Sequence, residues 1–324
     1  MTVETRAGAI AVAARMLGPL AQRDVPLGPL TTYKVGGSAA LFVRPASLAD
    51  LAGVAEASRI SGVPVLVVGR GSNMLVADRG FAGIAISVTA ISAPDGAGGG
   101  ELDIEGDGGH PDRVVGAGAG MALPVVARRL AGAGWRGFEW AVGVPGSIGG
   151  AVRMNAGGQG SEMAACVVSA DVFDLTKGER TMMPVDALDL RFRSSGLGDH
   201  HVVLRAALRV RAGSREAAEA ELNDIVRWRR ENQPGGQNAG SVFVNPIPEQ
   251  LSAGQLIDQL GLRGFRIGSA AVSDKHANFI QGSDGGSADD VRAVIEAVRE
   301  RVAAATGFQL RSEVRLVGFP DGSS

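Results

Sequence analysis

The sequence predicts an α+β chain of more than one domain, and three observations carry that prediction. A strand–helix–strand module over residues 40–68 runs into a glycine loop. Two runs with period-two alternation, 168–174 and 202–211, read as antiparallel strands of a second module. Capped amphipathic helices beyond residue 212 read as a third. At 324 residues the chain is long enough for two or three compact domains.

The elements justify themselves in order. Residues 5–20 are alanine-rich and suit a short helix. Residues 30–37 (LTTYKVGG) form a polar turn that runs into glycine, and a strand is expected over 40–44. Ser47 suits an N-cap, Leu48, Leu51, Val54 and Ala55 share one helical face, and Gly62 closes the helix. The apolar run 63–68 is a strand with a glycine loop at its carboxyl end, where α/β modules commonly bind ligands. Residues 95–109 are glycine- and acid-rich, with only Leu102 and Ile104 to bury, and read as a hairpin or surface excursion. A strand over 113–118 and a helix over 123–130, ended by Gly132 and Gly134, come next.

From Cys166 the alternation places Val168, Ala170, Val172 and Asp174 opposite Ser169, Asp171 and Phe173, with a turn at Lys177-Gly178. In the second run Leu204, Ala206, Leu208 and Val210 face one way and Arg205, Arg209 and Arg211 the other. A boundary is expected at Ala212-Gly213. Ser214 then caps a helix carrying Leu222, Ile225 and Val226. Ser252 and Gln255 form a capping box, and Ser287 caps a helix with Val291, Val294, Ile295, Val298 and Val302 on one stripe. Gly307 ends that helix, and 309–318 reads as a closing strand.

Two small-residue loops stand out. Residues 145–158 (PGSIGGAVRMNAGG) hold seven glycines and alanines, and residues 68–73 (VGRGSN) follow a strand directly. Chain with so few Cβ atoms can adopt positive φ, approach a ligand closely and present successive N–H groups to an anion. Two such loops are what an elongated diphosphate cofactor needs, although either alone is equally a tight turn. Neither is a dinucleotide fingerprint opening a helix, nor a Walker loop.

Composition narrows the classes. A net charge of −2 gives no field for nucleic acid or anionic lipid. The single Cys166 excludes an internal disulfide, and four histidines without ligand spacing give no reason to expect a metal. The N-terminus lacks a signal-peptide plan and no apolar run approaches ~20 residues, so a cytoplasmic location is expected.

The motifs TTYKVGG, VLVVGRGSNMLV, PGSIGGAVRMNAGG, LRFRSS, AGSVFVNP, GQLIDQLGLRGFRIGSAAVSDKHANFI and RSEVRLVG occur in this order from about residue 31 to 318. Together they resemble the UDP-N-acetylenolpyruvoylglucosamine reductases (UDP-N-acetylmuramate dehydrogenases), flavoenzymes of peptidoglycan precursor synthesis. The resemblance implies an α+β, two-subdomain FAD-binding fold of the vanillyl-alcohol-oxidase (PCMH) type with a C-terminal α/β substrate domain. The corresponding boundaries are 1–92, 93–212 and 213–324. It implies non-covalent FAD, NADPH as hydride donor, a UDP-sugar substrate and a monomer, with no nucleic-acid or membrane partner.

By motif, the resemblance assigns catalysis to Arg193, Ser241 and Glu313. Arg193 would bind the carboxylate of an enolpyruvyl ether, Ser241 would protonate its C2, and Glu313 would add a hydrogen bond. Hydride would pass from NADPH to FAD and then to C3. Cofactor contacts are expected from Tyr33, Gly69, Arg70, Gly71, Ser72 and Asn73, and from Pro145, Gly146, Ser147, Gly149, Gly150, Asn155 and Ala156. Asn245 is the expected substrate contact. Phe192 replaces the usual tyrosine and Val244 the usual lysine, and the short stretch after Ser195 matches the subfamily lacking a long tyrosine loop. Lys275-His276 resembles an acid–base pair, but His276 reads better as a structural histidine. On residues alone, a flavin oxidase acting on an alcohol and a cofactor-free glycine-rich binding module stay open.

Overall fold

The chain runs through α1 (Val3–Leu17), β1 (Ala21–Pro26), β2 (Ser38–Val43), α2 (Leu48–Ser61), β3 (Val65–Val68), β4 (Met74–Val76) and β5 (Phe81–Ser87). Next come β6 (Leu102–Asp103), β7 (Asp112–Gly118), α3 (Leu123–Gly132), β8 (Trp135–Arg136), α4 (Ile148–Met154), β9 (Gly157–Gly158) and β10 (Ser161–Glu162). Then follow β11 (Val167–Asp174), β12 (Glu179–Pro184), β13 (His201–Ala212), α5 (Arg215–Asn232), α6 (Ala253–Gln259), β14 (Arg266–Ile267), β15 (Ala270–Val272), β16 (Ile280–Gly282), α7 (Ala288–Thr306) and β17 (Arg315–Val317). This is a computed structural model, and it describes residues 3–90, 101–104, 112–247 and 250–320. Of the excursion expected over 95–109, residues 95–100 and 105–109 lie outside that set. Leu102 and Asp103 pair with Ala117 and Gly116.

Contacts divide the chain into two units. Unit 1 takes residues 1–23, 40–70 and 82–228, and unit 2 takes 24–39, 71–81 and 229–324. Unit 1 holds a sheet of order β1-β2-β5-β3, with β3 and β5 parallel, and an antiparallel sheet of order β12-β11-β13-β7-β6. Helix α2 begins as expected: Ser47 and Asp50 form a reciprocal capping box, and Gly62 ends the helix at φ 69°. Leu51, Val54 and Ala57 are fully buried on the face it shares with Leu41, Ile84 and Ile86. Each such side chain contributes roughly 1.5–3 kcal/mol of burial, apart from the smaller alanine.

One strand departs from simple alternation. Between Asp171–Arg205 and Val172–Val203 the register of β11 on β13 slips, leaving Leu204 as an extra residue. A bulge of one residue changes the face that follows. Val203, Ala206, Leu208 and Val210 therefore join one core, whereas Val202 and Leu204 join the other with Phe173 and Leu175. Leu204 does not share a face with Leu208 as period two had suggested. Val226, expected in the core of α5, is 41% exposed, while Leu222 and Ile225 are buried.

Unit 2 packs α7 against the antiparallel ribbon β14-β15-β16, with Val291, Val294, Ile295, Val298 and Val302 fully buried as the stripe predicts. Ser287 caps the helix and Gly307 ends it at φ 77°. The closing strand is shorter than 309–318: Arg315–Val317 run parallel to Met74–Val76, and before them Ser312 makes a single antiparallel bridge to Phe243.

Candidate active site

In unit 1 the end of the first glycine loop lies against the second. A Cβ on Gly69 would stand 2.6 Å from the Ser147 hydroxyl oxygen. Ser147 is buried and caps α4, accepting the Gly150 N–H at 3.4 Å. The stretch 146–149 is fixed by main-chain bonds to residues 119–123: Leu123 N–H to Gly146 C=O at 3.0 Å, Ile148 N–H to Met121 C=O at 2.9 Å and Gly149 N–H to Ala119 C=O at 2.9 Å. A Cβ on Gly149 would sit 3.0 Å from that of Ala119, so this position requires the smallest side chain. Pro145, Gly150 and Arg70 are exposed, Gly146 and Gly149 are buried, and Ala156 is half-buried.

Arg193 belongs to the same surroundings. Residues 191–194 form a tight turn closed by Arg191 N–H to Ser194 C=O at 3.0 Å and Ser194 N–H to Arg191 C=O at 3.1 Å. Arg193 takes the left-handed φ of 55°, a conformation costing a non-glycine residue about 1–3 kcal/mol. Its guanidinium donates to the carbonyls of Asn155 at 3.4 Å and Gly157 at 3.2 Å, lies 4.0 Å from the Glu162 carboxylate and sits 4.7 Å over the Phe192 ring. The side chain keeps 22% of its surface exposed, enough to meet a ligand.

Unit 2 gathers the remaining candidates in two groups. Gly71 adopts φ 60°, and a Cβ there would fall 2.2 Å from the Leu30 carbonyl oxygen. Thr32 donates its N–H to Gly71 C=O at 3.2 Å and its hydroxyl to Ser72 C=O at 3.4 Å. Asn73 donates its amide to Glu313 C=O at 2.8 Å and accepts the Arg315 N–H at 3.0 Å. Glu313 N–H in turn donates to Val242 C=O at 2.7 Å, which sets Glu313 beside the residue that follows Ser241. Ser241 follows Gly240, at φ 80°, and is half-buried.

The second group surrounds α6. Asn245 accepts the Ala253 N–H at 3.1 Å, while Ser252, Gly254, Gln255, Asp258, Arg263, Lys275 and His276 line a cavity of about 210 Å³. His276 accepts the Asn278 N–H at 3.2 Å and packs edge-on to Phe279 at 4.7 Å, as a structural histidine would. Burial and the nearby Arg263 hold its pKa below the ordinary value. Lys275 is spent on the Arg230 carbonyl at 2.6 Å.

Residues 232–317 match the family described as UDP-N-acetylenolpyruvoylglucosamine reductase, C-terminal domain, and residues 39–182 match the FAD binding domain family. The UDP-N-acetylenolpyruvoylglucosamine reductase of Heliobacterium modesticaldum is 44% identical over 299 residues, which is 92% of this chain and 90% of that one. The chain belongs to the UDP-N-acetylenolpyruvoylglucosamine reductase family. The reductase of Synechococcus sp. RCC307 is 40% identical over 92% of this chain and 94% of its own. The crystal structure of the Thermus caldophilus reductase aligns with a TM-score of 0.76 at 31% identity, covering 92% of this chain and 98% of that one. The α+β FAD-binding fold with a reductase C-terminal domain is therefore the fold of this chain.

The residues present fit FAD. Gly69, half-buried, lies so close to Ser147 that only main chain can be presented there, and no histidine or cysteine stands in 69–73 for covalent attachment. Two expected contacts are re-read by their burial. Tyr33 is completely buried in the unit 2 core, so it presents no surface to a cofactor. Asn155 is also completely buried, with its amide engaged at both ends. Sequence reasoning passed over residues 119–121, which brace the second loop. Alternating Gly116, Gly118 and Gly120 after a strand were the available signal.

Spacing gave no reason to group the histidines, yet Asp174, His200 and His201 bring potential ligand atoms within 4.8 Å of one another. His201 Nδ1 accepts the Gly198 N–H at 2.8 Å, which places the ring proton on Nε2, the nitrogen facing Asp174 at 3.9 Å. That tautomer serves a loop anchor better than a metal ligand.

Proposed function

We infer that the chain reduces the enolpyruvyl ether of UDP-N-acetylglucosamine to the lactyl ether of UDP-N-acetylmuramate, with NADPH as electron source, in peptidoglycan precursor synthesis. Bound FAD supplies the hydride carriage from NADPH to C3 of the enolpyruvyl group. The observation that carries the site reading is Arg193, held by the carbonyls of Asn155 and Gly157 beside the second glycine loop.

In this reading Arg193 binds the substrate carboxylate through two parallel hydrogen bonds and stabilises the charge that builds up on it as C3 gains hydride. Ser241 delivers the proton to C2, and Glu313 in its protonated form donates a hydrogen bond to the carboxylate. Gly69, Arg70, Gly71 and Ser72 offer N–H groups to the pyrophosphate, while Asn73 positions the main chain at Glu313. Pro145 to Gly150 and Ala156 run along the flavin, and Tyr33 shapes the loop that holds Gly71. Asn245 and the polar cavity beside it, lined by Ser252, Gln255, the Asp258–Arg263 pair, Lys275 and His276, suit the UDP portion. Residues 1–92 and 93–212 form the FAD-binding subdomains and 213–324 the substrate domain of a monomeric, cytoplasmic enzyme. No helix among the described residues is long and apolar enough to cross a membrane.

Anaerobic mixing tests the reaction. NADPH is expected to bleach the flavin and the UDP-enolpyruvyl sugar to restore it. Bleaching by an alcohol, with restoration by oxygen alone, would replace the reductase by an oxidase.

A further inference from the structure

We propose that Asn155 is a positioning residue that aims Arg193, and not a cofactor contact; this rests on the reading of Arg193 as the carboxylate ligand. Asn155 is 0% exposed, so its side chain offers nothing to a bound molecule. Its Nδ2 donates to the Arg191 carbonyl at 3.0 Å, its Oδ1 accepts the Ala164 N–H at 2.9 Å, and its own carbonyl accepts Arg193 Nη1 at 3.4 Å. One residue thus holds the arginine turn at its base and the guanidinium at its tip.

The backbone explains why such a latch is needed. Arg193 sits at φ 55° in a two-residue turn whose partner strand is only Arg191 and Ser194. A strained, half-exposed turn keeps one conformation only where its surroundings over-determine it. The anchor on Arg191 comes from the end of α4, where Asn155 is itself left-handed at φ 41° and closes the helix. Asparagine tolerates that φ, and its amide can serve a carbonyl and an N–H at once.

Asn155→Gly separates the two properties, because glycine keeps the left-handed backbone while the side-chain bonds to Arg191 C=O and Ala164 N–H are lost. Four readouts are compared with wild type: FAD content, anaerobic flavin reduction by NADPH, reoxidation by the UDP-enolpyruvyl sugar, and calorimetric affinity for UDP-N-acetylmuramate. FAD content and NADPH reduction are expected to stay within about twofold, while reoxidation slows and product affinity weakens about tenfold, the cost of losing the bond that holds the Arg191 carbonyl. Adding Asn155→Gly to Arg193→Ala is expected to slow reoxidation no further than Arg193→Ala alone. Should Asn155→Gly fail to fold, Asn155→Asp sets an oxygen against the Arg191 carbonyl and gives the same pattern.

Loss of FAD, or equal slowing of both half-reactions, would return Asn155 to the cofactor and overturn the proposal. Unchanged reoxidation in Asn155→Gly, with Arg193→Ala slow, would overturn the latch but leave Arg193 in place. Unchanged reoxidation in Arg193→Ala would overturn both.

Discussion

His201 links a single proton to the stability of the segment after the arginine turn. Its pKa lies below the ordinary 6.5, first because of burial, then because of His200, with Arg153 and Lys177 acting in the same direction and Asp174 opposing them. A histidine depressed in the native state is protonated first in the unfolded chain. Its contribution is therefore complete above about 6.5 and is lost as pH falls through that value toward the native pKa. Thermal melts between pH 7.5 and 5.5 are expected to fall with pH, less steeply in His201→Gln. A flat profile, or one rising toward acid, would show that the Gly198–His201 bond does not hold the neutral ring. Asp174 does not confuse that window. Burial alone would raise its pKa, but the Thr176 and Lys177 donors outweigh this and leave it below 3.8. Single residues of this kind were poorly legible in sequence: Asn155 acts through Arg191, 36 positions away, and His201 through burial that no local spacing reports.

At the scale of elements, periodicity and capping chemistry were reliable where one face decides the burial. The helices α2 and α7 begin at Ser47 and Ser287 and end at Gly62 and Gly307, because N-cap oxygens and left-handed glycines are local chemistry. The strand β13 was less legible, since both of its faces are covered and the Leu204 bulge arises from pairing with β11. Glycines differ in the same way. Gly71, at φ 60° and against the Leu30 carbonyl, is needed for its conformation, whereas Gly53 in α2 has open space around it. Gly71→Ala is expected to cost about 2 kcal/mol or more, and Gly53→Ala to stabilise by about 0.5–1 kcal/mol, in urea unfolding. Equal effects of the two would mean that the first glycine loop is not held as described.

At the scale of the whole molecule, motif order carried more than any physical pattern. Arg193, Ser241 and Glu313 are separated by long stretches of chain, and their surroundings come from distant pairing: Asn155 with Arg191, Glu313 with Val242, Asn73 with Glu313. No periodicity reports such contacts, so the FAD-binding and C-terminal families were readable only through the seven motifs in sequence. The division into units was likewise hidden, because β4 pairs with β17 across most of the chain and draws residues 71–81 into unit 2. The most direct measurement follows both half-reactions of Ser241→Ala in anaerobic stopped flow. NADPH should bleach its flavin at the wild-type rate, and reoxidation by the UDP-enolpyruvyl sugar should slow by about 10²–10⁴-fold, the usual worth of a general acid. Equal loss in both steps, or wild-type reoxidation, would contradict Ser241 as the proton donor.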